Sequence, residues 1–217
     1  VENASLVPWL LSIALLHGLI VQKRANALVK TNVALAMLTF IAVMYSAFLT
    51  RSGILANFSV HSFSSGSVSY EISWYLLFFT VAGFALFFAK ARGIGTARIP
   101  GGVLSTPAIL MYAVLLISVY AALIALGTSM PIITKLFMEN AARVTERYYN
   151  MVSVPFSMLL SALLSMAIIA RSGLKGKWSV LSAIAVAALI TAVAFNAGHT
   201  TAVKAYAISF AAFFTAI

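Results

Sequence analysis

Apolar runs separated by short polar or basic segments dominate the pattern of this chain. Several runs reach about 18 residues or more, which lets an α-helix cross a hydrocarbon core about 30 Å thick. We predict six spans and a truncated seventh, the six over 5–21, 32–49, 72–89, 107–127, 152–170 and 180–195. The predicted fold is therefore all-α: a polytopic transmembrane helical bundle that forms a single integral membrane domain over 1–217.

The segments between the predicted spans differ in charge. Those after the first, third and fifth spans contain nine cations and no acid: Lys23, Arg24, Lys30, Lys90, Arg92, Arg98, Arg171, Lys175 and Lys177. All four acids lie on the opposite side, together with five cations. The positive-inside rule places the basic segments in the cytoplasm and the loops 51–71 and 128–150 outside. Within the second outer loop we predict an amphipathic helix over 132–148, lying at the membrane interface.

Composition sharpens this interpretation. The chain is 63% hydrophobic and 8% charged, whereas soluble domains carry about 25% charged residues. The net charge of +10 does not indicate nucleic acid, because the cations lie between spans, where membrane lipid is the expected partner. The chain contains no cysteine, which excludes disulfides and thiolate metal sites. It begins without Met and ends within an apolar run, so we expect a piece of a longer protein.

One histidine lies deep within the first apolar run. His17 is about 8 Å from the cytoplasmic end of the predicted helix and about 18 Å from its other end at Ser5. An ionisable group inside a membrane span indicates a functional site. We expect a neutral ring, which binds metals, and the small neighbours Ala14 and Gly18 suit haem, whose iron takes axial histidine. A proton relay and a plain hydrogen bond to a neighbouring helix remain open alternatives.

Two other histidines and one arginine are in or beside predicted loops. His61, in the outer loop 51–71, is too far from His17 to share one haem, because axial ligands are about 4 Å apart across the iron. It therefore indicates either a second haem site at another depth or a solvated loop residue. Arg51 can pair with a haem propionate or lipid phosphate, or snorkel to the lipid surface. We interpret His199 as a surface residue.

Several short stretches have a specific composition and order. They are Val1-Glu2-Asn3-Ala4-Ser5, Pro8-Trp9-Leu10, Leu15-Leu16-His17, Phe48 to Leu55 and Ser59 to Phe63, followed by the weaker Leu126-Gly127-Thr128 and Tyr148-Tyr149-Asn150. Together they resemble the CcmF-type cytochrome c haem lyases, over about two thirds of the chain.

The resemblance implies roles for individual residues. His17 would be one of two intramembrane axial ligands of a resident haem b, and His61 an outer haem ligand and catalytic residue. In that family a tryptophan-rich haem-binding segment precedes the stretch that matches the start of this chain, and Glu2, Asn3 and Trp9 match its tail. The other ligand of each haem would lie outside 1–217, so the resemblance implies a central fragment.

The resemblance also implies an activity, partners and a location. A protein of this family would accept haem from a haem chaperone and join the haem vinyl groups to Cys-x-x-Cys-His thiols of apocytochrome c, together with other cytochrome c maturation subunits. It would lie in the bacterial inner membrane or an organelle equivalent. Haem lyases specific for nitrite reductase share these motifs. The alternatives are a transmembrane haem transporter or conduit and a membrane scaffold subunit, and intramembrane charges would favour transport.

Overall fold

The computed structural model describes residues 2–52, 68–138 and 142–172. These residues form five α-helices and one short 3-10 helix: α1 (Glu2–Ala25), α2 (Val29–Arg51), α3 (Val68–Lys90), the 3-10 helix (Ala91–Gly93), α4 (Thr106–Lys135) and α5 (Glu146–Ser172). His61, His199 and the predicted sixth and seventh spans lie outside the described residues.

The all-helical prediction is confirmed for the described part of the chain. Four helical segments are long and apolar enough to cross a membrane: Asn3–Ala25, Val29–Arg51, Tyr70–Gly93 and Thr106–Lys135. They coincide with the first four predicted spans and extend each by several residues. Helix α5 contains the predicted fifth span. Its crossing of the membrane, and the count of six spans plus a seventh, stay predictions.

Helix α1 lies between α2 and α4. Helix α3 packs on the far side of α2, and α5 packs on α4. The core contains nine buried side chains from the three inner helices: Val7, Leu10, Ala14, Leu35, Ala42, Val114, Ile117, Ala121 and Ile124. Ala14 and Ala121 are fully buried, since small side chains let apolar helices approach closely. The first helix is therefore the central one in the order α3, α2, α1, α4, α5 in which neighbouring helices pack.

The segments that follow α1 and α3 meet at one end of the bundle. The Ala97 amide donates to the Asn26 carbonyl at 2.9 Å, within an isolated bridge between Ala27 and Ala97. Asn26 and Leu28 have φ angles of 52° and 61°, a left-handed conformation that is unusual for leucine and turns the chain sharply. We call this the Ala25 end of the bundle. The opposite Glu2 end is where α1 starts and α2 ends.

The connection between α4 and α5 differs from the prediction. The loop expected over 128–150 is helical at both ends, because α4 continues to Lys135 and α5 begins at Glu146. The interfacial helix expected over 132–148 is not a separate element: its ends belong to α4 and α5, and residues 142–145 are not helical.

Side chains explain why α4 continues past Gly127. Thr128, Ser129 and Thr134 each donate to the carbonyl four residues earlier, at 2.7, 2.6 and 2.8 Å. These hydroxyls are therefore satisfied within the helix instead of ending it. Pro131 lacks an amide hydrogen, but the helix is held on both sides of it: Ser129 bonds to the Tyr45 hydroxyl, and Ile132 packs against Ala4 and Leu49.

Candidate functional site

His17 is half-buried on α1, at the boundary between its core face and its open face. Ala14 and Val21 are fully buried on one side, whereas Leu16 is 57% exposed on the other. The ring nitrogen Nδ1 is 2.8 Å from the carbonyl oxygen of Ile13, one turn earlier. Because a carbonyl only accepts hydrogen bonds, Nδ1 carries a hydrogen, and in the neutral tautomer with this hydrogen the lone pair is on Nε2.

This arrangement gives His17 the form of a metal-ligating histidine. Ligating histidines donate their second ring N–H to a carbonyl or carboxylate, which fixes the tautomer and the ring orientation. Within the described residues, Nε2 has no hydrogen-bond partner, and no group of three or more His, Asp or Glu side chains could hold a metal ion. A single imidazole nitrogen in apolar surroundings fits one axial position of haem iron.

A buried polar contact joins α1 to α2 directly after His17. Asn32 is 3% exposed, and its Nδ2 donates to Oε1 of Gln22 at 2.7 Å. Its Oδ1 lies against Gly18, so closely that a Cβ at residue 18 would overlap it. We call Gly18, Gln22 and Asn32 the Asn32 cluster. The sequence pattern did not reveal it, because Asn32 looked like the polar boundary of the second span.

Asn3 and Trp9, two of the residues predicted for the outer site, lie at the Glu2 end. Asn3, Ser5, Leu6 and Trp9 line an open groove of about 510 Å³, and the Trp9 side chain is 59% exposed. A tryptophan on the rim of an open groove can offer an aromatic face to a planar ligand.

Arg51 also lies at the Glu2 end. It is the exposed last residue of α2, and Leu49 packs with Ala4 in a small core cluster that fixes these helix ends together. Glu2 begins α1 at the same end.

The structure separates the predicted site residues into two levels. His17 is eight residues beyond Trp9 on α1, about 12 Å along the axis. Arg51 is nineteen residues from Asn32 on α2, and therefore about 28 Å from the level of Gly18. Arg51 is too far away to pair with a propionate of a haem bound at His17, but it is at the same end as Asn3 and Trp9.

The two weaker matching stretches contact each other. A Cβ at Gly127 would overlap the ring of Tyr148, and the Tyr148 hydroxyl donates to the Leu123 carbonyl at 2.8 Å. Thr128 and Tyr149 approach at 3.5 Å. Partial burial raises the pKa of Tyr148, and Tyr149 raises it further, so the Tyr148 hydroxyl stays a donor at neutral pH. These two stretches pair because the glycine accommodates an aromatic ring.

Known proteins match this chain over most of its length. It is 36% identical over 165 residues to the cytochrome c-type biogenesis protein ccl1 of Rhodobacter capsulatus, which is 76% of this chain and 25% of that protein. It is 30% identical over 171 residues to CcmF of Pseudomonas fluorescens, with 79% and 26% covered. A probable cytochrome c-type biogenesis protein NrfE of Escherichia coli is 31% identical over 169 residues, with 77% and 30% covered.

The other comparisons found no match: no family model and no solved structure corresponds to this chain. The chain spans about a quarter of the length of the first two curated relatives. These relatives and the four apolar helices make the chain an integral membrane protein. The predicted resemblance is confirmed: this chain is homologous to a segment of the CcmF-type cytochrome c biogenesis proteins.

Proposed function

We propose that this chain is the part of a cytochrome c haem lyase that holds a resident haem b through His17. The observation that carries the proposal is the His17 ring, oriented by the Ile13 carbonyl with Nε2 available, on the helix that lies between α2 and α4. The similarity to cytochrome c-type biogenesis proteins supports a haem-handling function. A second axial ligand would come from outside residues 1–217.

Each part of α1 has a distinct task in this proposal. When bound, the haem iron supplies one-electron redox chemistry, which would keep incoming haem reduced. His17 would bind the iron through Nε2, and the hydrogen bond from Nδ1–H to the Ile13 carbonyl would fix the orientation of the ring. Ala14 and Val21, which are fully buried on the core side of His17, would exclude water from that side of the ring.

The covalent step would take place at the Glu2 end, on the outer face. There the thiols of an apocytochrome add across the haem vinyl groups: each S–C bond forms as the thiol hydrogen moves to the adjacent vinyl carbon, with no leaving group. The substrate supplies both thiols, which suits a chain without cysteine. Catalysis would consist mainly of orienting haem against the thiols.

Five residues would form the site of that outer haem. His61, which lies outside the described residues, would be its axial ligand and the catalytic residue. Asn3 and Trp9 line the groove at this end, and Arg51 would pair with a propionate. Glu2 would complete the tail of the haem-binding segment.

The partners follow from the proposed reaction. A haem chaperone would deliver the haem, apocytochrome c would receive it, and other maturation subunits would assemble around the membrane domain. The inner membrane would be the location, with the Glu2 end outside and the Ala25 end, which carries Lys23, Arg24, Lys90 and Arg92, in the cytoplasm.

The yield of covalent cytochrome c separates this proposal from a scaffold role. We expect His61→Ala in the full-length protein to abolish haem-stained cytochrome c while the resident haem remains. His17→Ala should lower both. Ser12→Ala is the matched control, since Ser12 is an exposed polar residue on the same helix that bonds only to the Pro8 carbonyl. A normal cytochrome yield in both histidine variants would exclude the lyase role and favour a scaffold.

A further inference from the structure

We propose that Asn32 is a positioning residue for His17: the Asn32 cluster sets the register of α1 on α2, and thereby the height and orientation of the haem ligand. The inference rests on the proposed haem site and deepens it, because it assigns the placement of the ligand to three residues that do not touch the iron.

The first observation is the burial of the Asn32 carboxamide. Asn32 is 3% exposed and lies on a helix long and apolar enough to cross a membrane. A polar side chain in such surroundings is unfavourable unless it is hydrogen-bonded, and in membrane spans it usually has a function. Its Nδ2 donates to Gln22 at 2.7 Å, so half of the amide is satisfied across the helix–helix contact.

The second observation concerns Oδ1, the oxygen atom of the same amide. Oδ1 is fully buried and has no conventional hydrogen-bond donor among the described residues. It lies against Gly18, where any Cβ would overlap it. The contact therefore requires glycine at residue 18, and the Cα–H of a glycine is a weak donor to such an oxygen. Since no strong hydrogen bond from the described residues holds Oδ1, its position is set by the close fit against Gly18.

Together these contacts define one alignment of the two helices. Gly18 and Gln22 are four residues apart, so they present the same face of α1 about one turn apart. One carboxamide touches both. A slip of α1 by one turn, about 5.4 Å, or a rotation by one residue, about 100°, would break both contacts at once.

Apolar packing by itself selects a single register of α1 on α2 less strictly. The α1 and α2 side chains of the core are aliphatic, such as Leu10, Ala14, Leu35 and Ala42, and aliphatic side chains can interdigitate in more than one register. A single buried amide that selects one register among apolar alternatives is an established device in helix pairs. His17 is covalently next to Gly18, so the register of the cluster is the register of the ligand.

Spectra and potentials of the full-length protein in detergent test this proposal. Asn32→Leu removes the amide at nearly constant volume, and we expect about 10-fold weaker haem retention, as for other outer-shell partners of metal ligands, with shifted reduced absorption bands and midpoint potential. Thr39→Val is the matched control on α2, because the half-buried Thr39 hydroxyl bonds only to its own helix, at the Leu35 carbonyl. It should leave all three readouts unchanged.

A second variant tests the proposal if Asn32→Leu does not fold. Gln22→Met removes the acceptor of the Asn32 amide hydrogen bond at similar volume and leaves Asn32 against Gly18. We expect it to accumulate with a smaller shift of the bands and potential. A Gln22→Met protein that accumulates with the wild-type haem content, bands and potential would overturn the proposal.

The outcomes separate this inference from the proposed function. If Asn32→Leu keeps the wild-type haem content, bands and potential while His17→Ala loses the haem, the positioning role is wrong and the haem site stands. If the wild-type protein holds no haem at all, the haem site and the positioning role are both wrong.

Discussion

The two ends of α1 are held in different ways. At the Glu2 end, Ala4 packs with Leu49, and the neighbouring groove beside Trp9 is open. Toward the Ala25 end, a buried amide fixes α1 to α2 through the Asn32 cluster, and the adjoining segments are bridged at Ala27 and Ala97. The end that would bind a resident haem is fixed by contacts between helices and between segments. The end that would exchange haem with partners has an open groove.

The difference is also one of distance. His17 is next to the Asn32 cluster, and Trp9 lies about 12 Å from His17 along the same helix. One continuous helix therefore connects a site that needs a fixed geometry with a surface that needs access. If this comparison is right, substitutions near the two ends should affect different measurements.

The largest effect on stability should come from Gly127→Ala. The new Cβ would overlap the Tyr148 ring, and we expect a loss of about 1–3 kcal/mol, as for other overpacked sites. Thermal unfolding in detergent measures the change. Gly95→Ala is the control, because a Cβ there meets no atom within 4 Å. Resident haem in the folded fraction should be unchanged; specific loss of that haem would contradict the separation of the two ends.

A smaller effect is expected for Tyr45→Phe. The Tyr45 hydroxyl is 2.6 Å from the Ser129 hydroxyl and links α2 to α4. Hydrogen bonds between membrane helices contribute about 0.6 kcal/mol on average, so the melting temperature should fall only slightly. Ser129→Ala should give a similar loss, and the double variant should add little. Fully additive losses would show that the two hydroxyls do not interact.

The smallest effect on stability should come from Trp9→Ala. The side chain is 59% exposed, and exposed substitutions usually change stability by less than about 0.5 kcal/mol. Cytochrome c yield should nevertheless fall, because Trp9 lines the groove at the Glu2 end, where we propose the outer haem site. Leu16→Ala, at a side chain that is 57% exposed on the same helix, controls for surface area alone. Equal yields from both variants would remove Trp9 from the proposed outer site.

The apolar pattern was sufficient to predict the first four helices, because burial and lipid both select long apolar runs. It failed at the end of α4, where Gly127, Ser129 and Pro131 look like helix breakers. The hydroxyl of Ser129 bonds back to its own helix, and Tyr148 packs on Gly127. Such tertiary contacts cannot be read from the local sequence.

The sequence likewise revealed one residue of the candidate site and concealed another. His17 was evident because an imidazole inside an apolar run is conspicuous. Asn32 was not, since a polar residue at the start of a run normally marks a boundary, and only the packing of α2 on α1 shows that it is buried. The family resemblance suggested the ligand, but the contacts that would orient it required the structure.

The most direct test of the haem site is the dithionite-reduced absorption spectrum of the full-length protein in detergent, measured beside His17→Ala and Ser12→Ala. We predict sharp low-spin b-type bands in the wild type and in Ser12→Ala, and their loss in a folded His17→Ala protein. Bands of unchanged position and intensity in His17→Ala would contradict the assignment of His17 as the ligand of the resident haem.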